Sequence, residues 1–177
     1  YLVARLGVLS LVLIMPSRSY GYSSKNKNHK VIPSDIPADH RDVYLRNNSI
    51  EFLGDGLTHI KNLQYLSLVS NHFNQFPDLA ATNRETLEVL WLGKNQIEYI
   101  CAESLLNMRK LRKLGLTSNH IGVFPDLTPV SRTLEECLFG QNMITIVPKE
   151  HIVNMTKLRE LDLNNNRLTS IPCTHFL

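Results

Sequence analysis

The chain has 177 residues, of which 43% are apolar and 20% are charged. This composition is typical of one globular domain or of one stretch of a repeat array. The formal net charge of +3 is small. Because nucleic-acid binding usually needs a concentrated basic face, we expect no nucleic-acid partner.

The first 20 residues differ from the rest of the chain. Residues 6–15 form an uncharged apolar run, which Arg5 precedes and the small-x-small sequence Ser17-Arg18-Ser19 follows. This order is typical of a secretory signal peptide. A membrane span needs about 20 apolar residues, so the run is too short for one. An anchor or a buried strand is the alternative. Because the sequence begins at Tyr1, we expect signal peptide 1–20 to be incomplete at its N-terminus.

Residues 21–36 form a polar lead-in segment that contains no cysteine. Lys25, Lys27, His29 and Lys30 lie close together within it. One interpretation is a basic patch that binds sulfated sugars or anionic surfaces. The other, which we favour, is a solvated and mobile segment, because charge clusters usually form solvated surfaces.

From residue 37 to residue 177 the chain repeats one pattern, L-x-x-L-x-L-x-x-N-x-φ, in which φ is apolar. The first clear copy runs from Leu63 to Phe73 and the last from Leu158 to Leu168, while a weaker copy begins at His40. The asparagines of the six copies are 23 or 24 residues apart: Asn48, Asn71, Asn95, Asn119, Asn142 and Asn166. Such regular spacing indicates a solenoid, in which stacked repeats bury a shared core.

Each position of the pattern has a physical reason. The alternation L-x-L has a period of two, so it predicts a short strand with one buried face. One strand per repeat, always in the same direction, predicts a parallel sheet. The asparagine falls where the chain leaves the strand, and its amide can both donate and accept hydrogen bonds. Stacked asparagines can therefore satisfy buried backbone groups of their own turn and of the neighbouring coil.

The segments that return from one strand to the next alternate in kind. Residues 76–79 and 124–127 both read Phe-Pro-Asp-Leu, which favours an extended or turn-like return. The other returns carry apolar residues at helical spacing, such as Leu105, Met108 and Leu111, which predict short helical turns. Bulky returns behind a narrow strand layer would curve the stack and leave the strand face concave.

The pattern resembles the extracellular leucine-rich-repeat family, of the 24-residue type found in Toll-like receptors, small matrix proteoglycans and variable lymphocyte receptors. The resemblance covers residues 32–172 and includes Ile32-Pro33 and Ile36-Pro37, which are similar to the start of that family's array. It implies an α/β solenoid: a right-handed horseshoe with one curved parallel sheet on the concave face and short helical or irregular returns on the convex face.

The chain departs from that family at both ends. The family usually opens with a disulfide-bonded cap, whereas no cysteine precedes Cys101 here. The family also usually closes with a cysteine-rich cap, and this sequence stops at Leu177 without one. Because a terminal repeat needs a cap for solubility, we expect the C-terminal end to be truncated.

The three cysteines have separate expected roles. Cys137 stands at a core leucine position, so we expect a small buried hydrophobe. Cys101 and Cys173 lie three repeats apart, roughly 14 Å at the usual spacing of strands. A disulfide needs Cα atoms within about 7 Å, so we expect these two not to pair with each other.

Two sequons add to the case for export. Asn154 begins Asn-Met-Thr on the back of the array, where a glycan would be accessible. Asn47 begins Asn-Asn-Ser beside the ladder residue Asn48, where crowding would hinder transfer. We expect Asn154 to be the better glycosylation site.

The outward x positions of the strands predict a ligand-binding surface on the concave face. Aromatic and apolar side chains cluster there, and such clusters usually mark interaction sites. The predicted ligand-binding residues are Tyr44, Tyr65, Val89, Trp91, Lys113, Glu136, Leu138 and Asp162. An alternative role for Trp91, compatible with ligand contact, is to lie over its lateral neighbour Gly115 and shield the backbone.

The sequence predicts no catalytic, cofactor or metal site. His72 and His120 share a column but lie roughly 10 Å apart by strand spacing, too far for one zinc ion with bonds of about 2.1 Å. We therefore predict a non-catalytic module, secreted or on the extracellular side of the plasma membrane, that binds a protein or glycan through its concave face. The repeats themselves should make no membrane contact. A structural extracellular-matrix protein is the alternative, and an enzyme a remote one.

Overall fold

A computed structural model describes residues 21–79 and 84–170. Within these residues seven strands form one sheet, in which each strand pairs in parallel with the next along the chain. The strands are β1 Gly21–Ser23, β2 Asp42–Tyr44, β3 Tyr65–Ser67, β4 Val89–Trp91, β5 Lys113–Gly115, β6 Glu136–Leu138 and β7 Glu160–Asp162. The predicted solenoid with a single parallel sheet is confirmed. The predicted signal peptide 1–20 lies outside the described residues.

The strands stack without any shift in register, so equivalent residues form columns. Leu66 of β3 pairs with Leu90 of β4, which pairs with Leu114 of β5. These middle residues point inwards and are fully buried, as is Cys137 of β6. The flanking residues of each strand point outwards, because successive side chains of a strand alternate between the two faces.

The sheet begins one strand earlier than the repeat pattern predicted. Residues 21–23, part of the segment interpreted as a solvated and mobile lead-in, form β1 and pair with β2. Tyr22 packs against the core where later coils use leucine, and its hydroxyl donates to Asp35 at 3.0 Å. Residues 21–23 are ordered because the first coil keeps the backbone path of a repeat without its leucines. The side chains of Lys25, Lys27 and Lys30 are exposed, as the solvated interpretation expected.

The returns contain short 3₁₀ helices at Arg84–Thr86, Ala102–Leu105, Thr128–Val130 and Lys149–His151. Those at 102–105 and 149–151 fall in returns predicted to be helical. The return from β2 to β3 contains only turns, and the two Phe-Pro-Asp-Leu returns also end in a 3₁₀ helix. In the second of these the Asp126 carboxylate accepts the Thr128 amide at 2.9 Å. The predicted alternation between extended and helical returns is therefore weaker than the sequence suggested, because a proline fixes only its own φ and a helical turn can begin a few residues after it.

Hydrogen bonds from the repeated asparagines join each coil to the one before it. Asn71 shows the arrangement: its Nδ2 donates to the Leu68 carbonyl at 3.0 Å and to the Leu45 carbonyl at 2.9 Å. Its Oδ1 accepts the Ile50 amide at 3.0 Å. The other five repeated asparagines form the same pattern of bonds. Each therefore satisfies backbone groups of two coils.

A left-handed residue directly precedes every asparagine of the ladder. These residues have φ between 53° and 60°. They are Asn47, Ser70, Lys94, Ser118, Gln141 and Asn165. The positive φ turns the chain sharply after the strand and directs the next side chain inwards. Non-glycine residues adopt this conformation at some cost, which the hydrogen bonds of the following asparagine offset.

The cysteines and the helices add two smaller findings. Cys137 is fully buried, and burial raises the pKa of its thiol to about 12. Cys101 is partly exposed, and its Sγ donates to the Glu103 carboxylate. Cys173 lies outside the described residues, so the expectation about its pairing stays a prediction. No helix in the described part of the chain is long and apolar enough to span a membrane.

Candidate binding face

We call the outward side chains of the strands the strand face; it is the face predicted to be concave. All eight residues predicted to bind ligand lie on it and are partly buried. Residues at the first position of strands β2 to β7 form one column: Asp42, Tyr65, Val89, Lys113, Glu136 and Glu160. Residues at the third position form the second column: Tyr44, Ser67, Trp91, Gly115, Leu138 and Asp162.

Three aromatic side chains from adjacent strands meet on the strand face. The rings of Tyr44 and Tyr65 lie 4.8 Å apart between centroids, with an interplanar angle of 37°. Burial, reinforced by Tyr44, raises the pKa of Tyr65 to about 12, while the neighbouring Trp91 side chain acts in the opposite direction. We call Tyr44, Tyr65 and Trp91 the aromatic tier.

The indole of Trp91 lies over Gly115 of the next strand. A Cβ atom added at Gly115 would lie 2.1 Å from Cε3 of Trp91 and 2.4 Å from Cζ3. One side of the indole is therefore pressed against the sheet backbone, as expected if Trp91 lies over Gly115 and shields the backbone. The residue stays partly exposed, so the ring is fixed on one side while part of it remains accessible to solvent.

Beyond the aromatic tier the strand face carries ion pairs. Lys113 Nζ lies 2.6 Å from Glu136 Oε1 in the same column. Beside this column Arg112 Nε lies 2.9 Å from Glu135 Oε1. Their hydrogen bond raises the pKa of Arg112 and lowers that of Glu135. These charges neutralise one another in pairs, so the middle of the strand face carries little net charge.

A second glycine is covered near the last strand. A Cβ atom added at Gly140 would lie 2.8 Å from Oδ2 of Asp162. The other carboxylate oxygen of Asp162 accepts the Asn164 amide at 2.9 Å. Asp162 is therefore held close to the sheet, and its charge lies at the β7 end of the strand face.

Two cations at the opposite end were missing from the predicted site. Lys25 Nζ lies 5.0 Å from the centroid of the Tyr44 ring, within the range of a cation–π contact. The positive charge of Arg46 acts on Tyr65 and lowers its pKa. Both residues stand at a third outward position, just after the last inward residue of the strand segment. Comparing that position across the repeats would have revealed Arg46, whereas the prediction used only two positions per strand. Lys25 lies in a coil that the repeat pattern does not cover.

The predicted glycosylation sites lie away from the aromatic tier. Asn154 is exposed in the return between β6 and β7. Asn47 is also exposed, but it has a φ of 56° and directly precedes the buried Asn48. In the described part of the chain no group of three or more histidine, cysteine or acidic residues is placed to hold a metal ion. His72 and His120 are both exposed.

A groove of about 830 Å³ lies on a different surface, in the segments that follow β2 and β3. Its lining includes Phe52, His72 and Phe76, and none of the eight predicted ligand-binding residues belongs to it. Small-molecule sites are usually concave and enclosed. The strand face is instead an open surface of side chains, which is a shape suited to a macromolecule.

Comparison with known proteins identifies the family. A profile described as Leucine rich repeat matches residues 61–121, and another of the same description matches residues 157–176. The chain is a leucine-rich-repeat protein. Leucine-rich repeats are typically protein-binding modules and are generally non-catalytic scaffolds. No curated protein sequence matches this leucine-rich-repeat chain.

Solved structures share the fold. An internalin (inlF) of Listeria monocytogenes is 26% identical with a TM-score of 0.58, and the alignment covers 71% of this chain and 35% of the internalin. TLR13, solved in complex with ssRNA13, is 25% identical with a TM-score of 0.66, and the alignment covers 80% of this chain and 20% of TLR13. The leucine-rich-repeat chain thus spans about a third and a fifth of these two proteins.

Proposed function

We propose that this leucine-rich-repeat chain is a secreted or cell-surface binding module that holds a protein or glycan ligand on its strand face. The aromatic tier is the observation that carries the proposal. Tyr44, Tyr65 and Trp91 contact one another across three adjacent strands and remain partly exposed. Aromatic side chains fixed at the centre of a surface are the residues that most often dominate binding energy.

The proposed contact residues surround the aromatic tier. Val89 and Leu138 add apolar surface in the two columns, while Lys113, Glu136 and Asp162 add a charged margin. The rigid backbone beneath them supports the proposal, because a surface that is already ordered loses little entropy on binding. No catalytic role or cofactor is part of the proposal.

Extracellular location rests on three observations. Residues 6–15 have the pattern of a signal peptide, and the chain contains sequons at Asn47 and Asn154. Leucine-rich-repeat proteins such as Toll-like receptors are often extracellular. Expression of the chain in secreting animal cells should give protein in the medium whose mass falls on glycosidase treatment, and Asn154→Gln should remove most of that fall. Retention of unglycosylated protein in the cytoplasm would contradict the location.

The ligand claim is tested with a panel of extracellular proteins, glycans and single-stranded RNA arrayed against the purified chain. RNA belongs in the panel because TLR13 was solved with ssRNA13, so the comparisons give no support to the expectation that nucleic acid is excluded. For any ligand found, Trp91→Ala should weaken binding by roughly 30-fold or more, the size expected for a central aromatic residue.

A matched control exists on another surface. Tyr99 is an exposed aromatic residue in the return after β4, outside the strand face. Tyr99→Ala should leave affinity within about twofold, since residues outside an interface contribute little to binding. Equal affinity for the Trp91→Ala variant and the unmodified chain, or a larger loss for Tyr99→Ala, would show that the ligand binds elsewhere.

A further inference from the structure

The strand face carries opposite charge at its two ends. Lys25 and Arg46 lie at the β1–β2 end, beside the aromatic tier. Glu160 and Asp162 lie on β7 at the other end. None of these four residues belongs to an ion pair among residues 21–79 and 84–170. No charged partner within these residues therefore neutralises them, although Asp162 Oδ1 also accepts hydrogen bonds from Asn164.

Neighbouring charges do not cancel this separation. Asp42 of β2 lies at the positive end, but one carboxylate leaves Lys25 and Arg46 with an excess of one positive charge. At the negative end the nearest cation in sequence is Arg159, whose charge acts on Glu135 of the preceding coil. Lys113 and Glu136 neutralise each other in between.

The two ends are too far apart to act on the same group. Strands of a sheet lie about 4.8 Å apart, so the six steps from β1 to β7 span roughly 29 Å. The Debye length at physiological ionic strength is about 8 Å. Each end therefore acts on its own part of a ligand, and the aromatic tier lies between the two parts, nearer the positive end.

Resting on the function proposed above, we infer that the strand face binds a protein segment whose own charges are separated. Acidic groups of the segment face Lys25 and Arg46, apolar or aromatic groups cover the aromatic tier, and basic groups face Glu160 and Asp162. An extended chain advances about 3.3 Å per residue, so roughly nine residues cover the distance. The separated charges fix the orientation of the segment, which is the usual effect of electrostatic complementarity.

Charge also argues against the other macromolecules. RNA and sulfated glycans carry negative charge along their whole length. On the strand face such a ligand would place that charge against Glu160 and Asp162 as well as against Lys25 and Arg46. Juxtaposed like charges suppress binding. A ligand with both signs of charge is therefore the better match.

The test uses a displayed library of random twelve-residue peptides, selected against the full chain. The selected peptides should carry acidic residues in one half and basic residues in the other. Their affinity is then measured for two double variants, Lys25→Glu with Arg46→Glu and Glu160→Lys with Asp162→Lys. Each should lose roughly tenfold or more in affinity, because reversing an end turns attraction into repulsion.

Controls separate position from net charge. Lys61→Glu with Lys110→Glu makes the same charge change as the positive-end variant, but at exposed residues outside the strand face. Glu51→Lys with Glu98→Lys does the same for the negative-end variant. Both control pairs should leave affinity nearly unchanged. Glu160→Gln with Asp162→Asn, which keeps polar groups in place, should give a smaller loss than the charge reversal.

A compensating exchange gives the sharpest outcome. A peptide whose acidic half is replaced by basic residues should bind the variant with Lys25→Glu and Arg46→Glu better than it binds the unmodified chain. Peptides that need Tyr65 but tolerate both charge reversals would overturn the separated-charge inference and leave the proposed function standing. Peptides that tolerate Tyr65→Ala as well, or a selection that yields none bound to the strand face, would contradict the proposed function too.

The polyanions form the last arm of the test. A single-stranded RNA of 13 nucleotides and a heparin octasaccharide are measured directly against the chain. Both should bind more weakly than the selected peptides and should not displace them. A polyanion that binds more tightly than the peptides, and that loses affinity on Lys25→Glu with Arg46→Glu, would overturn the inference in favour of a uniformly acidic ligand.

Discussion

Replacing Gly115 by alanine tests how Trp91 is held on the strand face. The new Cβ would lie 2.1 Å from Cε3 and 2.4 Å from Cζ3 of the indole, well inside van der Waals contact. The indole is the partly exposed end of a side chain, whereas Gly115 belongs to a strand with buried neighbours. We therefore expect the indole to leave and the strand to stay.

The size of the effect follows from what the indole loses. Uncovering roughly 80 Å² of apolar surface costs about 2 kcal/mol at about 25 cal/mol per Å². Alanine is better than glycine inside a strand by about 0.5–1 kcal/mol, which offsets part of this. We expect Gly115→Ala to lower the free energy of unfolding by about 1 kcal/mol.

Trp91 is the only tryptophan in the chain, so its fluorescence reports the change directly. Gly115→Ala should shift the emission to longer wavelength, increase quenching by acrylamide, and lower the midpoint of urea unfolding. Gly122→Ala is the control, because a Cβ added at Gly122 meets no atom within 4 Å. An unchanged emission maximum and an unchanged urea midpoint in Gly115→Ala would refute the account of a ring pressed against the sheet.

Three further predictions concern groups inside the solenoid. Asn119→Ala should lower the free energy of unfolding by about 3 kcal/mol in urea titrations, since it leaves buried backbone groups of two coils unpaired; exposed Asn74→Ala should change it little. Cys137, whose thiol has a pKa of about 12, should react with iodoacetamide at pH 8 only after unfolding, while partly exposed Cys101 reacts in the folded chain, as peptide mass spectrometry would show. The pKa of Tyr65 is raised to about 12 in the folded state, whereas an unfolded tyrosine ionises near 10. Stability should therefore fall as pH rises from 10 to 12, and Tyr65→Phe should remove part of that fall; the same loss in the variant would contradict it.

Most of the fold could be predicted from the sequence, because the repeat pattern determines the strands, the buried columns and the register together. The alternation around Leu66, Leu90 and Leu114 predicts strands, buried columns and a parallel register together. Sequence analysis missed β1, because Tyr22 occupies the position of a core leucine there and the repeat pattern did not include aromatic residues at that position. It also gave no hint of the left-handed residues before the asparagines, since side chains as different as Ser70 and Lys94 occupy that position.

Only part of the candidate site could be predicted from the sequence. Alternation was enough to place Tyr65 and Trp91 outwards, and equal spacing was enough to set Trp91 beside Gly115. The sequence could not show that Lys25 lies over Tyr44, because that contact depends on the path of a coil with no recognisable repeat. Long side chains such as those of Lys25 and Arg46 also reach beyond their own column, which strand periodicity does not describe.

Folding and the proposed binding depend on different positions in each repeat, and Gly115 affects both. The asparagine ladder and the inward leucines fix the backbone, so outward residues can change from one repeat to the next without disturbing the sheet. Because the outward residues can vary, three coils carry the aromatic tier and the following coils carry the ion pair between Lys113 and Glu136. At Gly115, however, the fold must leave space for the Trp91 ring, because any side chain there would displace it. A glycine in a strand interior is costly in itself. Its presence beneath the only tryptophan is therefore explained by the space that the ring needs, and the proposed binding surface depends on that space.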